Sequence, residues 1–164
     1  MTDHRAEQRG FAVLGISHVG LAPSDVDQAT SFFSSLLGLP ALGEEIVAQQ
    51  QTATFTFGSK HPKDSLGSQE SAEPRLELLA PAPAGQGPIA QFLAKKGSGL
   101  HHLALKVSGI EAAIAYLVAK NVVMIDSVPR SGAHHTRIAF VHPRSTGGLL
   151  VELVEESNQH ENQT

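Results

Sequence analysis

Polar and apolar residues follow strand spacing in Ile16-Ser-His-Val-Gly-Leu21 and again in Leu100-His-His-Leu-Ala-Leu105. Val19 and Leu21 fall on one face of the first segment, with His18 and Gly20 on the other. A period of two predicts a β-strand in each case. The period then lengthens to that of a helix. Val26, Ala29, Phe33, Leu36 and Leu37 form one apolar stripe that ends at Gly38. Ile110, Ala113, Leu117 and Val118 form a second. Ser24-Asp-Val-Asp27 and Ser108-Gly-Ile-Glu111 precede these stripes and read as capping boxes. Further strands are expected at Glu45 to Gln50, Thr52 to Phe57, Val122 to Asp126 and Arg137 to His142. Leu76-Glu-Leu-Leu79 and Val151-Glu-Leu-Val154 close the two series.

The two series are copies of one unit. The segment around His18 aligns with that around His102, shifted by 84 positions, and the match continues through Ala29 with Ala113 and Phe32 with Tyr116. Each copy reads β-α-β-β-β. The expected fold class is therefore α+β, with two tandem βαβββ modules forming a curved, partly closed mixed sheet. Module one covers about residues 14–81 and module two about 98–155, in a single domain over 12–156. Between them Gly87-Pro-Ile-Ala-Gln-Phe-Leu-Ala-Lys-Lys-Gly97 reads as a linker helix, with Pro88 in the first turn and Gly97 as the stop. Residues 1–11 and 157–164 are polar and read as flexible tails. Ser59 to Pro74 has no large apolar face and reads as a surface loop.

Composition narrows the chemistry. The chain has 164 residues and 41% hydrophobic content, enough to bury a core without staples. It has no cysteine, so a metal here must use histidine, carboxylate or backbone ligands. The net charge of -4 argues against nucleic acid or an anionic membrane as partner. The sequence shows neither a secretory signal nor an apolar run of membrane-spanning length, and a cytoplasmic protein is the expectation.

Strand parity isolates four residues. His18 and His102 occupy equivalent repeat positions, and both point away from the helix side. Glu77 and Glu152 do the same in the closing strands, where their apolar neighbours face the helices. A carboxylate inside an apolar strand costs several kcal/mol unless it is paired or ligated. Two imidazoles and two carboxylates form a normal ligand set for Mg, Mn, Fe, Co, Ni or Zn. If the modules share one concave surface, His18, Glu77, His102 and Glu152 converge as a divalent-metal site. His101 competes with His102, but repeat register and parity both select His102.

These residues lie in stretches that resemble the vicinal oxygen chelate superfamily, and most closely its methylmalonyl-CoA epimerases. The resemblance rests on Ile16-Ser-His-Val-Gly20, Leu76-Glu-Leu-Leu-Ala-Pro81, Pro88-Ile-Ala-Gln-Phe-Leu93, Gly99-Leu-His-His-Leu-Ala-Leu105 and Ile125-Asp-Ser-Val-Pro-Arg130. Its most discriminating stretch is Ile138-Ala-Phe-Val-His-Pro-Arg-Ser-Thr-Gly-Gly-Leu-Leu-Val-Glu-Leu-Val154. It implies an isomerase that epimerises methylmalonyl-CoA at C2 through an enolate. It also implies a divalent ion (Co, Mn, Mg, Ni or Zn) on His18, Glu77, His102 and Glu152, an acyl-CoA substrate and a homodimer. Glu152 and Glu77 are the implied proton-transfer residues. Some members of the family carry a second glutamate where this chain has Thr54, with Gln50 and Gln51 nearby, and a threonine is a poor general base.

The alternatives are a glyoxalase I-like lactoylglutathione lyase and a non-catalytic small-ligand-binding protein of the same superfamily. The His142-to-Gly148 segment and the Pro88 segment argue against the lyase, and retention of all four metal residues argues against the binding protein. His134 and His135 read as an exposed loop pair. Lys95, Lys96, Lys106, Arg130 and Arg144 could attract CoA phosphates, but no spacing singles one out. His4, His61 and His160 lie in polar segments and read as solvated.

Overall fold

The structure is a computed structural model, and it describes residues 9–58 and 73–156. Most of the expected surface loop, most of both tails, and His4, His61 and His160 lie outside the described residues. The chain forms two compact units. One is Ile16 to Leu103, and the other joins the segment up to Gly15 to that from Ala104 onward. Strands β1 (Ala12–Ala22) and β5 (Gly99–Ser108) contribute to both.

In the unit from Ile16 to Leu103, β1 leads into helix α1 (Val26–Thr30), then β2 (Ala41–Val47), β3 (Thr52–Phe57), β4 (Arg75–Pro81) and helix α2 (Gly87–Lys96). The strand order is β2-β3-β4-β1-β5. β1 pairs parallel with β4, while β2-β3 and β3-β4 are antiparallel, so the sheet is mixed. Alternation along β3 and β4 buries Phe57 and Leu78, and the Phe33 ring on the helix segment lies 6.5 Å from that of Phe57. On the opposite face Ala22, Leu79 and Ile89 pack together with Phe92 and Leu93. α2 begins with Pro88 in its first turn and stops at Gly97, whose N–H donates to Leu93 O at a φ of 74°, as the sequence predicts.

Three local expectations change here. Asp25, not Ser24, caps α1: its carboxylate accepts from Gln28 N at 2.8 Å. Ser24 instead donates its backbone N–H to Ser98 Oγ. The helix then widens into a π-helical turn over Ser31–Leu36, where Leu37 N bonds Phe32 O five residues back. A wider turn rotates later positions off the apolar stripe, and Leu36 and Leu37 are left 75% and 63% exposed. The strand expected up to Gln50 stops at Val47, because Ala48–Gln50 form a 3-10 turn.

The other unit contains the start of β1, most of β5, helix α3 (Ile110–Ala119), β6 (Arg130–Ser131), β7 (Thr136–Val141) and β8 (Val151–Glu156). Its strand order is β1-β5-β8-β7-β6. Ile110, Ala113 and Ile114 of α3 pack on Val107, Ala139, Val141 and Leu153. Val118, expected in this stripe, is 52% exposed. The strand expected at Val122 to Asp126 is reduced to one bridge between Met124 and Val141. There Asp126 turns its carboxylate onto Phe140 N at 2.9 Å, which occupies a donor of β7.

The second capping box is also replaced. The α3 N-cap is Gly109, at a φ of 71°, and a Cβ there would meet Gly10 O at 2.5 Å. The acceptor for the first helical N–H groups comes from β8: Glu155 Oε1 lies 2.5 Å from Gly109 N and 3.2 Å from Ile110 N. Ser108 Oγ instead accepts from Ala12 N. Arg137 ties the arrangement together by bonding both Glu155 and Glu111. The Arg137 hydrogen bond holds the Glu111 carboxyl below its usual range, and the two glutamates raise the Arg137 pKa. Among the described residues no helix is long and apolar enough to cross a membrane.

Replacing Glu155 by Ala leaves the N–H groups of the Gly109 cap and of Ile110 without this acceptor, and a loss of about 1–2 kcal/mol is expected, readable as a lower Tm with α3 frayed at its start. The lowered Glu111 carboxyl contributes stability that is present above the ordinary glutamate pKa and lost as pH falls through its lower, folded value. Glu111→Gln should therefore narrow the Tm gap between the protein and its variant as pH drops from neutral to below 4.

Candidate metal centre

Strand pairing sets one face of the sheet in the unit from Ile16 to Leu103. Gly20 is the register partner of Glu77, and Glu77 is also the partner of Thr56. Partners in register present their side chains on the same side. His18, Gly20 and Ala22 therefore share a face with Glu77, Leu79 and the threonines of β3. All of these are buried: His18 is 9% exposed, Glu77 5% and His102 5%. Thr52, Thr54 and Thr56 line the same face and are buried too.

Three of these side chains meet. His18 Nε2 lies 3.0 Å from His102 Nε2 and 3.4 Å from Glu77 Oε2. The two imidazoles stand edge-on at 85°. One ligand atom from each of His18, Glu77 and His102 falls within 4.8 Å of the others. Each histidine is held on its far nitrogen by the residue before it. Ser17 Oγ lies 3.2 Å from His18 Nδ1, and His101 Nδ1 lies 3.0 Å from His102 Nδ1.

This group fits a divalent ion. Two Nε2 atoms cannot both present lone pairs at 3.0 Å without a positive centre, a proton or a metal, to hold them together. Two imidazoles and a carboxylate, with no thiolate, match borderline to hard divalent metals. The fold also keeps space for the His102 ring. A Cβ on Gly20 would stand 2.4 Å from His102 Cε1, 2.6 Å from Nδ1 and 2.9 Å from Nε2. Gly20 has ordinary backbone geometry, so it is glycine for room and not for φ.

Glu152 belongs to the other unit. It lies on β8 opposite Phe140, 5% exposed, on the face where Ala104, Ile138, Phe140 and Val154 cluster. Its neighbours Val151 and Leu153 face α3, which is the parity read from the sequence. His101, the competitor of His102, gives no atom to the three-residue group; its ring stands 5.0 Å from that of Phe92 on α2. Gln51 sits in the turn before β3 at a φ of 51°. His134 and His135 are exposed in a 3-10 turn. Lys106 pairs with Glu156, and Arg130 pairs with Asp126 while lying over the Phe140 ring. Reasoning from sequence missed Gly20 and Ser17 as parts of the centre. Their signal was available, since both adjoin His18 in the repeated strand.

The chain matches the model of the Glyoxalase/Bleomycin resistance protein/Dioxygenase superfamily over residues 17–140, and it belongs to that superfamily. It is 35% identical to the uncharacterized protein YqjC of Bacillus subtilis over 89% of this chain and 98% of that protein. It is 31% identical to the mitochondrial methylmalonyl-CoA epimerase of Dictyostelium discoideum over 86% of this chain and 78% of that one. Among solved structures it is similar to a methylmalonyl-CoA epimerase in complex with methylmalonyl-CoA and NH4+, with a TM-score of 0.78 and 27% identity, covering 90% of this chain and 97% of that chain. The α+β architecture with a mixed sheet is thus the fold of those epimerase structures.

Gly20→Ala should drive the His102 ring out of the group while leaving the strand intact. A fall in divalent-metal affinity of roughly 10-fold or more is expected, measured by titration of metal-free protein, with little change in its far-UV circular dichroism.

Proposed function

We propose that this protein is a metal-dependent epimerase that removes and returns the proton at C2 of methylmalonyl-CoA or a closely related acyl-CoA. The observation that carries the reading is the buried His18–Glu77–His102 group, in a chain about 30% identical to methylmalonyl-CoA epimerases. In this reading His18, Glu77, His102 and Glu152 hold a divalent ion. When bound, the ion supplies positive charge that stabilises an enolate oxygen at neutral pH.

The chain's own groups then divide the remaining work. Glu152 removes or returns the C2 proton on one side of the substrate. Its repeat equivalence to Glu77 and its burial support that role. Thr54 cannot take a proton on the other side, because its hydroxyl is not basic in this range. Glu77 is the carboxylate nearest that role by register, and β2 adds a second: Glu45 is the register partner of Thr54 and is half-buried. Thr52, Thr54 and Thr56 line the face that carries Glu77, and the Thr52 hydroxyl donates to Gln50 O. The reading includes a homodimer, as the family resemblance implies.

The test is proton exchange. Metal-loaded protein incubated with one epimer of methylmalonyl-CoA in deuterated water should racemise it with deuterium entering at C2. Turnover of the methylglyoxal–glutathione hemithioacetal without such exchange would move the protein to the lyase class. Tight small-ligand binding with neither reaction would make it a binding protein. Glu152→Gln should reduce exchange by roughly 100-fold or more, and full activity in that variant would refute its role. Glu45→Gln should slow racemisation more than exchange if Glu45 serves the second side, and should leave both unchanged if Glu77 serves it.

A further inference from the structure

The repeat supplies more than the two histidines. Ser17 and His101 occupy the same position of the two copies, each one residue before a histidine of the group, and each lies against the Nδ1 of its neighbour at 3.2 and 3.0 Å. We infer that Ser17 and His101 are positioning residues, which turn the Nε2 atoms of His18 and His102 toward each other and toward Glu77. This rests on the metal reading above.

The chemistry runs through the imidazole tautomer. A neutral imidazole carries one N–H and one lone pair. A histidine that presents an Nε2 lone pair must carry its proton on Nδ1, and that proton needs an acceptor in a buried site. Ser17 Oγ is such an acceptor for His18. His101 Nδ1 is one for His102, provided that His101 keeps its own proton on Nε2. Two imidazoles, two Nδ1 contacts and one Nε2–Nε2 approach of 3.0 Å are thus one arrangement.

The two copies achieve it differently. A serine hydroxyl rotates freely and adapts to either tautomer. The His101 ring is set by its edge-on contact with Phe92, at 5.0 Å and 78°. That contact extends the support of His102 to α2, the helix between the repeats. Gly20 takes the other side of His102, so this ring is held between a second imidazole and a position that tolerates no Cβ. The orienting groups are therefore built into the two strands that carry the ligands.

The test compares the full chain with Ser17→Ala, Ser17→Thr and His101→Phe, which keeps a ring against Phe92 but removes both nitrogens. Metal-free protein is titrated with Co(II), and its visible absorption is followed. Ser17→Ala and His101→Phe should each lower Co(II) affinity by roughly 10- to 100-fold and alter the absorption bands, while Ser17→Thr stays near the unaltered protein. In the Zn(II)-loaded protein, 15N spectra of the histidine rings should show the proton of His18 and His102 on Nδ1. Unchanged Co(II) affinity and bands in both Ser17→Ala and His101→Phe would overturn the inference and leave the metal reading standing. Loss of metal-free stability with unchanged bands would assign a structural role only, which also overturns it. Failure of the unaltered protein to take up Co(II) would overturn the metal reading and this inference together. Should His101→Phe not fold, the Ser17→Ala and Ser17→Thr pair decides the matter.

Discussion

Two buried imidazole nitrogens 3.0 Å apart, with a carboxylate oxygen 3.4 Å from one of them, set the terms for the unit that contains them. Such groups are costly to bury singly, because each loses its water. Together they offset part of that cost through one another, and the three are a group that could hold a metal ion. The surrounding structure serves the meeting. Parallel pairing of β1 with β4 sets Gly20 beside Glu77, one step along from His18. The absent side chain at Gly20 leaves the volume into which His102 fits. Further along the same face Ala22 and Leu79 pack on Ile89 of α2.

The other unit handles its buried carboxylates by different means. Glu152 sits in a small apolar cluster with Phe140 and Val154, a position whose cost calls for a charged partner. Three residues on, Glu155 accepts from the first N–H groups of α3 and bonds Arg137. Strand alternation separates the two: Glu152 shares the face of Val154, while Glu155 shares that of Leu153 and the helix. One short strand thus carries two carboxylates on opposite faces, and side-chain parity keeps Glu152 apart from the one that supports α3.

Thr54 lies buried on the face that carries Glu77. The hydroxyl is buried beside two others on β3, so it donates hydrogen bonds but does not accept a proton. Glu45 stands opposite it on β2. A carboxylate one strand away alters where a proton can be taken and from how far. Relative rates of exchange and racemisation therefore say more about this chain than activity alone.

Much of this was legible in the sequence because it depends on short-range periodicity. A period of two located β1, β3, β4, β5, β7 and β8, and it separated His18, Glu77, His102 and Glu152 from the apolar neighbours that pack on each module's own helix segment, although α2 packs on Ala22 and Leu79 of the His18 and Glu77 face. The Pro88 and Gly97 punctuation bounded α2 closely. The shift of 84 positions paired the two histidines without any structure, since a repeat preserves both register and parity. What failed were features that depend on contacts between distant segments. Both capping boxes were misplaced, since a neighbouring aspartate caps α1 and a strand glutamate, Glu155, serves α3. The π turn after α1 moved Leu36 and Leu37 off the stripe, and no local pattern announces an extra residue in a turn. Val122 to Asp126 has strand composition but keeps only one bridge to β7, where the Asp126 carboxylate takes the Phe140 N–H. Gly20 is the clearest case. Sequence placed it on the right face, but only the tertiary structure shows that it is glycine because a histidine from another strand occupies the space of its side chain. Local alternation determines which way a residue points; what it meets there is decided by packing.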